Sequence, residues 1–266
     1  MHRIEHSETR IIATIEAGIG TLSVANEAKR NAVTLSMWSA LGDLAASLDA
    51  DDAVRVIVLT GAGSTFVSGA DISEFDTVRA DGAGARAYEA ENERAFAALR
   101  GAKKPTIAAI RGHCFGGGLG LAASCDLRIA EEGSKFCLPA AKLGIGYPPE
   151  AMADLVSILG AASAKDIAFT ARVFEAGEAF RLGFLDRLVE PGGLEAAANA
   201  LAGAMTALAP LSQQAAKAAI NAARADAPEN AAALARQRAD LCFDSADYAE
   251  GRAAFLEKRP ARFTGA

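Results

Sequence analysis

The sequence predicts an α/β core followed by a helical C-terminal region. Short runs rich in valine and isoleucine alternate with longer stretches of helical periodicity, which is typical of strands packed between helices. Pro191-Gly192-Gly193 interrupts this alternation, and beyond it the chain is rich in alanine with no strand pattern. We therefore expect an α/β core over residues 1–193 and a helical region over residues 194–266.

The first elements of the core are a hairpin, a capped helix and a buried strand. Residues 11–16 and 20–26 are β-rich runs on either side of a turn, which predicts a hairpin. Thr34 can cap the helix that follows, whose apolar residues fall on one stripe. The continuous apolar run within residues 55–60 predicts a strand that is covered on both faces.

The second part of the core repeats the alternation of strand and helix. A helix is predicted over residues 85–99, and residues 106–111 form the next buried strand. Gly116-Gly117-Gly118 then leads into an apolar helix. Two further short strands are predicted within residues 125–138, and a helix begins near Pro149 because proline favours the first helical turn.

Composition and charge exclude several classes of protein. Hydrophobic residues make up 51% of the 266 residues, which is enough for a folded core, and the net charge of −6 gives no positive field for nucleic acid. The four cysteines form no CxxC pair and no zinc spacing with histidine, so we expect reduced core residues and no metal site. No stretch gives about 18 uninterrupted apolar residues, and no signal sequence is evident. These observations predict a cytoplasmic protein without a membrane partner.

Two glycine-containing turns have the same arrangement: each follows a predicted buried strand and precedes a predicted helix. They are residues 68–72, Ser-Gly-Ala-Asp-Ile, and residues 116–119, Gly-Gly-Gly-Leu. Free backbone N–H groups at such turns stabilise negative charge, and two of them on one oxygen form an oxyanion hole. From spacing alone the alternative stays open that each glycine serves only a tight turn or close packing.

Longer segments around these turns resemble the enoyl-CoA hydratase/isomerase (crotonase) superfamily. FVSGADISEF and RGHCFGGGLGLAASCDLRIA are similar to its two signature segments. The similarity continues through FCLPAAKLGIGYPPE and the terminal FDSADYAEGRAAFLEKRPARF, and it therefore covers nearly the whole chain. This resemblance implies a crotonase-like spiral of ββα units with a C-terminal helical trimerisation region, and hence a homotrimer or hexamer.

The resemblance also implies an acyl-CoA thioester substrate whose carbonyl oxygen becomes negative during the reaction. By motif position that oxygen is held by the backbone amides of Ala70 and Gly117. Coenzyme A then enters as part of the substrate, so we expect no separate cofactor.

A second set of residues is implied to contact the coenzyme A portion. From the residues alone, Lys29-Arg30 is a basic pair before a turn, for which a solvated surface role is the ordinary interpretation. The resemblance favours contact with coenzyme A instead. It points to Lys29 and Arg30, and to Ser68, Ala70, Asp71 and Ile72 around the nucleotide. Phe255 and Lys258 are implied to contribute from a neighbouring subunit.

The chain departs from the family pattern at both acid–base positions. Hydratases of this family use two glutamates, but this sequence has Gly120 at the first position and Ala140 at the second. Positioned acid–base groups each contribute about 10²- to 10⁴-fold to rate. We therefore expect hydration of an enoyl-CoA, and isomerisation by a single glutamate at the second position, to be impaired.

Tyr147 is the candidate replacement for the missing acids. It resembles the tyrosine in the LGxxY segment of methylmalonyl-CoA decarboxylase, an enzyme that the C-terminal tail also resembles, and decarboxylation needs no strong base. An aromatic residue between Gly146 and Pro148 also fits plain turn packing. Glu91 and Glu93 lie on a predicted helix and could face the site, although their charged neighbours favour a solvent-facing role.

The sequence thus predicts a crotonase-family enzyme that stabilises a thioester enolate. Its reaction stays open among isomerisation or hydration, decarboxylation and thioester hydrolysis, and a non-catalytic acyl-CoA-binding protein is the main alternative. A serine hydrolase and a dinucleotide oxidoreductase are disfavoured, because G-x-S-x-G is absent and Phe66 occupies the third glycine position of G-x-G-x-x-G.

Overall fold

The strands lie in two sheets. The computed structural model describes residues 2–6, 9–224 and 227–266, and within them it has ten strands. In chain order these are β1 (His2–His6), β2 (Ile11–Glu16), β3 (Ile19–Val24), β4 (Val56–Gly61), β5 (Thr106–Ile110), β6 (His113–Phe115), β7 (Leu127–Glu131), β8 (Lys135–Cys137), β9 (Val173–Glu175) and β10 (Arg187–Val189). The larger sheet has the order β1-β2-β3-β4-β5-β7-β10, and the smaller sheet has the order β6-β8-β9.

The helices separate the strands and then form the C-terminal region. They are α1 (Leu35–Ala50), α2 (Phe75–Val78), α3 (Gly82–Arg100), α4 (Gly117–Ala123), α5 (Ala140–Leu143), α6 (Pro149–Thr170), α7 (Ala176–Arg181), α8 (Leu194–Thr206), α9 (Pro210–Ala222), α10 (Ala231–Phe243) and α11 (Ala246–Glu257). All described strands precede α8, so the predicted α/β fold class and the helical C-terminal region are confirmed. Whether residues 1–193 and 194–266 act as two units stays a prediction.

None of the described helices is by itself long and apolar enough to cross a membrane. Only α8 and α9 together reach the required length and composition, and they are bent by 105° at the break between them.

The larger sheet changes from antiparallel to parallel pairing at β3. Strands β1, β2 and β3 pair antiparallel, which confirms the predicted hairpin, and the pairs from β3 to β10 are parallel. Strand β1 was not predicted. It pairs with β2 along its whole length. Because this pairing is made by backbone hydrogen bonds, it requires no apolar pattern in the sequence of β1.

Alternating side chains of β4 enter two different apolar cores. Ile57 and Leu59 belong to the main core, which they share with α1. Val56 and Val58 point to the opposite face of the strand and join a second core beneath α8, where they meet Leu201. The prediction of a strand covered on both faces is therefore confirmed.

The buried indole of Trp38 connects α1 to the elements that carry the glycine turns. Its Nε1 donates a hydrogen bond of 3.0 Å to the Tyr88 hydroxyl, which in turn donates to the Val33 carbonyl at 3.2 Å. Val33 pairs in parallel with Ala70, and the Trp38 ring packs edge-on against Phe96. Helix α1 itself starts as predicted, because the Thr34 side chain accepts a bond from the backbone N–H at its first turn.

Substitution Tyr88→Phe is expected to lower the free energy of unfolding by about 1–3 kcal/mol, because the buried Trp38 N–H loses its acceptor. Urea denaturation measures this difference. Tyr248→Phe is the matched control, since Tyr248 is 45% exposed and its change should stay within about 0.5 kcal/mol. Equal stability of Tyr88→Phe and wild type would show that the Trp38–Tyr88–Val33 chain does not hold these elements together.

Candidate active site

The two predicted glycine turns meet at one cavity of about 220 Å³. Ser68, Gly69 and Ala70 line it from the first turn, and Gly116 and Gly117 line it from the second. The turns lie against each other, since a Cβ added to Gly116 would stand 3.9 Å from the Cα of Gly69. The structure therefore brings together two segments that are more than 40 residues apart in the chain.

The backbone N–H of Ala70 has no acceptor among the described residues. Its neighbours are used by the pairing with Val33: the Val33 N–H donates to the Gly69 carbonyl at 2.9 Å, and the Asp71 N–H donates to the Val33 carbonyl at 2.8 Å. Gly69 has φ of +110°, a conformation that favours glycine. A polar backbone donor is thus left at the cavity wall.

The backbone N–H of Gly117 also lacks a hydrogen-bond acceptor among the described residues, because it lies at the start of a helix. Gly117 is the first residue of α4, and the first N–H groups of a helix have no partner within it. No other acceptor for this N–H lies in the described part of the chain. Residue 117 must be glycine because an added Cβ would stand 2.7 Å from Cη2 of Trp38.

The positions implied to carry glutamates lie beside this cavity without a carboxylate. Ala140 lines the cavity with a methyl group. Gly120 is buried behind the wall, where an added Cβ would stand 2.6 Å from both Cζ of Phe96 and Oη of Tyr147. The space that a side chain at position 120 would need is therefore filled by these two aromatic residues.

Tyr147 lines the cavity and holds the turn that precedes Gly117. Its hydroxyl donates to the Gly116 carbonyl at 3.1 Å. The same carbonyl accepts from the N–H groups of Leu119 at 3.0 Å and Gly120 at 3.2 Å. Burial raises the pKa of Tyr147 well above its ordinary value, so the phenol stays protonated and acts as a hydrogen-bond donor.

Three polar residues of the cavity were not predicted from the sequence. Glu89 forms an ion pair with Arg79, and its second oxygen accepts from Nδ2 of Asn92 at 3.3 Å. All three line the cavity. The available signal was the spacing of Glu89 and Asn92 from Phe96, which puts all three near one face of a helix.

The two carboxylates that the sequence did single out on this helix do not line the cavity. Glu91 accepts bonds from Ser39 and Arg94, and Glu93 is paired with Arg100. Of Glu89, Glu91 and Glu93 on α3, only Glu89 therefore lines the cavity.

The residues expected around coenzyme A gather at the edge of the cavity. Lys29 donates to Asp71 at 2.7 Å and to Ser73 at 2.8 Å, and the Ser68 N–H donates to the Arg30 carbonyl at 3.2 Å. Ile72 lines the cavity and is 65% exposed. Burial would raise the pKa of Asp71, but hydrogen bonds from Lys29 and Ser73 outweigh it and lower that pKa.

Phe255 and Lys258 lie away from this cavity within one chain. Phe255 is 84% exposed and lines another cavity, of about 430 Å³, together with Cys242 and Tyr248. Lys258 is the residue directly after α11 and is exposed. Their contribution to the site of a neighbouring subunit stays a prediction.

Asp71→Asn tests whether the Lys29–Asp71 contact is part of the folded structure. The lowered pKa of Asp71 means that its stabilisation is complete above its ordinary value of 3.8 and is lost as pH falls through the folded pKa. We expect the variant to be about 1–2 kcal/mol less stable than wild type at neutral pH, with the gap closing below about pH 4. Urea denaturation at several pH values measures the gap.

Asp43→Asn is the control for this experiment. Asp43 pairs with Arg94 at an exposed site, so its loss should change stability by less than about 1 kcal/mol. A difference between Asp71→Asn and wild type that is independent of pH would contradict the stated role of the Asp71 charge.

Comparison with known proteins agrees with the geometry. A sequence model of the family described as enoyl-CoA hydratase/isomerase matches residues 14–266. A crotonyl-CoA hydratase from Syntrophomonas wolfei is 33% identical over 254 residues, covering 95% of this chain and 97% of that protein. A short-chain-enoyl-CoA hydratase from Clostridium acetobutylicum is 31% identical over 251 residues, covering 94% and 95%.

Solved structures show the same likeness. An enoyl-CoA hydratase/isomerase family protein from Hyphomonas neptunium superposes with a TM-score of 0.93 at 38% identity, covering 98% of this chain and 100% of that one. An enoyl-CoA hydratase/carnithine racemase from Magnetospirillum magneticum gives a TM-score of 0.91 at 36% identity, covering 97% and 96%. The predicted spiral of ββα units is confirmed by these structures.

Proposed function

Since the chain belongs to the enoyl-CoA hydratase/isomerase (crotonase) family, and so is an enzyme of acyl-CoA thioesters, we propose that it works through a thioester enolate rather than by efficient hydration. One observation carries this proposal. The N–H groups of Ala70 and Gly117 lack acceptors among the described residues, and both residues line one cavity. The two positions implied to carry the family's glutamates, Gly120 and Ala140, have no carboxylate.

The two amides are the proposed oxyanion hole. When the α C–H bond of a thioester breaks, its electron pair forms a double bond to the carbonyl carbon and the carbonyl π pair moves onto oxygen. Two N–H donors already in place stabilise that oxygen, and loss of one such donor typically costs about 10²- to 10³-fold in rate. The cavity thus suits reactions that pass through an enolate or another thioester oxyanion.

Efficient hydration in this family would require two positioned glutamates, and this chain has no carboxylate at either position implied to carry one. Ala140 offers only a methyl group, and a side chain at Gly120 would collide with Phe96 and Tyr147. Because each such group contributes about 10²- to 10⁴-fold, water addition to an enoyl-CoA is expected to be slow. Isomerisation and decarboxylation, which pass through an enolate, then become the proposed reaction branches, and thioester hydrolysis through a tetrahedral oxyanion is the alternative.

Tyr147 is proposed to orient one of the two amides. The peptide bond is planar, so the hydroxyl that fixes the Gly116 carbonyl also fixes the N–H of Gly117 in the same peptide group. Donation to the carbonyl further polarises that peptide group and makes its N–H a better donor.

Coenzyme A is proposed to bind along the edge formed by Lys29, Arg30, Ser68, Asp71 and Ile72. Lys29 is half-exposed beside the cavity and offers a cation near the phosphates of the substrate. In a homotrimer or hexamer, Phe255 and Lys258 of a neighbouring subunit would complete the contact.

The first experiment is mass spectrometry of acyl-CoA thioesters incubated with the protein in heavy water. Butyryl-CoA, crotonyl-CoA and methylmalonyl-CoA represent saturated, enoyl and malonyl-type substrates. We expect deuterium at the α carbon or loss of carbon dioxide, with slow hydration of crotonyl-CoA. Rapid hydration would contradict the proposal, and binding of every thioester without any reaction would favour the acyl-CoA-binding alternative.

Ala70→Pro removes the N–H of residue 70 and is expected to reduce turnover by at least about 10²-fold. Ala70→Gly keeps the N–H and is the matched control, which should retain turnover within about tenfold. Circular dichroism and thioester binding establish that both variants fold. Position 70 is preferred to position 117, where any side chain meets Trp38. Full turnover by folded Ala70→Pro would remove this amide from the mechanism.

Tyr147→Phe removes the hydroxyl that fixes the Gly116–Gly117 peptide. Loss of one such hydrogen bond is expected to lower kcat about 3- to 10-fold with little change in KM. Steady-state kinetics on the substrate found in heavy water measures both constants. An unchanged kcat would reduce Tyr147 to packing, whereas a loss above about 10²-fold would make it a proton donor to the substrate.

A further inference from the structure

Glu89 carries the one carboxylate among the described residues that line the cavity. We propose that Glu89 is the catalytic base that takes the α proton of the thioester, an assignment that rests on the proposed enolate function. The other two ionisable groups of the lining are unsuited to this step, because Arg79 is a guanidinium and the pKa of Tyr147 is raised by burial.

The hydrogen bonds of Glu89 leave it capacity to accept a proton. One oxygen is bound by the Arg79 guanidinium, and the other accepts from Asn92 at 3.3 Å. A carboxylate has about four lone-pair sites, so two contacts leave room for a substrate C–H. The side chain of Glu89 is 26% exposed, and the residue lines the cavity.

Arg79 is held rigidly enough to orient this carboxylate. Its guanidinium lies 4.7 Å from the ring centre of Phe75 and 4.9 Å from that of Tyr88, and only 10% of its side chain is exposed. Tyr88 is the same residue that receives the Trp38 hydrogen bond. Arg79 is therefore a positioning residue that links Glu89 to the scaffold behind the oxyanion turns.

An unpaired oxygen beside Glu89 points independently to a ligand. Asn92 is 7% exposed, and its Oδ1 has no hydrogen-bond partner among the described residues. Leaving a buried acceptor unpaired is costly, and a donor brought by the ligand, such as water or an acyl hydroxyl, would satisfy it. Because Asn92 lines the cavity and contacts Glu89, this donor would bind next to the proposed base.

The proposed step balances without any further reactant. A Glu89 oxygen takes the proton of the α carbon, the C–H electron pair forms the enolate double bond, and the negative charge moves to the oxygen held by Ala70 and Gly117. Return of the proton to the α carbon regenerates the thioester, with deuterium incorporated in heavy water. In a β,γ-unsaturated thioester, its removal at the α carbon and return at the γ carbon moves the double bond.

Glu89→Gln keeps the shape of the side chain and removes the base. We expect α-deuteration of butyryl-CoA to fall by about 10²- to 10⁴-fold, while its Kd changes by less than about threefold.

Two further variants provide a control and a substitute for Glu89→Gln. Glu91→Gln is the matched control, since Glu91 lies on the same helix but bonds to Ser39 and Arg94 outside the cavity, and it should exchange like wild type. Glu89→Asp retains a charge for Arg79 and serves if the glutamine variant fails to fold. Its shorter side chain withdraws the carboxylate from the substrate, so its exchange should also fall while its Kd is kept.

The outcomes separate this inference from the function on which it rests. If folded Glu89→Gln or Glu89→Asp exchanged deuterium at the wild-type rate, the proposed role of Glu89 would be wrong. The enolate function would survive this result if Ala70→Pro still abolished exchange. Loss of carbon dioxide from methylmalonyl-CoA without exchange of butyryl-CoA would also overturn Glu89 alone. Absence of both reactions in the wild type would overturn both proposals.

Discussion

The contact between Trp38 and Gly117 determines where the two turns of the candidate site can lie. An added Cβ at residue 117 would stand 2.7 Å from the indole, so the Trp38 side chain of α1 packs directly against the backbone at the start of α4. The indole nitrogen is bound by Tyr88, whose hydroxyl reaches the Val33 carbonyl, and Val33 pairs with Ala70. One buried side chain thus connects both candidate oxyanion donors, and their positions follow from core packing instead of loop conformation.

The same packing determines where a carboxylate can be placed. Phe96 and Tyr147 occupy the volume that a side chain at Gly120 would need, so an acid at this position would collide with them. Helix α3 carries Phe96 and, seven residues earlier, Glu89 on the cavity wall. A charge in such an apolar place requires partners, which Arg79 supplies by an ion pair and Asn92 by a hydrogen bond.

Local patterns in the sequence predicted the elements whose signals are local. The Thr34 cap, the hairpin and the two-faced strand β4 depend on capping, turns and period-two burial, and all three are present. Strands β6 and β9 have only three residues each and depend on pairing with β8, so no local pattern indicates them. Glu89 is one of several charged residues on α3, and only its contact with Arg79 and the cavity distinguishes it from Glu91.

Decarboxylation and proton transfer from the α carbon place opposite electrostatic demands on the part of the cavity around Glu89. Decarboxylation would bring a substrate carboxylate beside Glu89, and like charges at short range in a partly buried site repel strongly. The single positive charge of Arg79 is already balanced by Glu89, and its guanidinium is held against the rings of Phe75 and Tyr88. Proton transfer instead needs an ionised carboxylate next to a neutral carbon acid. The Arg79–Glu89 pair meets that second demand as it stands, so the electrostatics of the cavity favour proton transfer on a neutral acyl group.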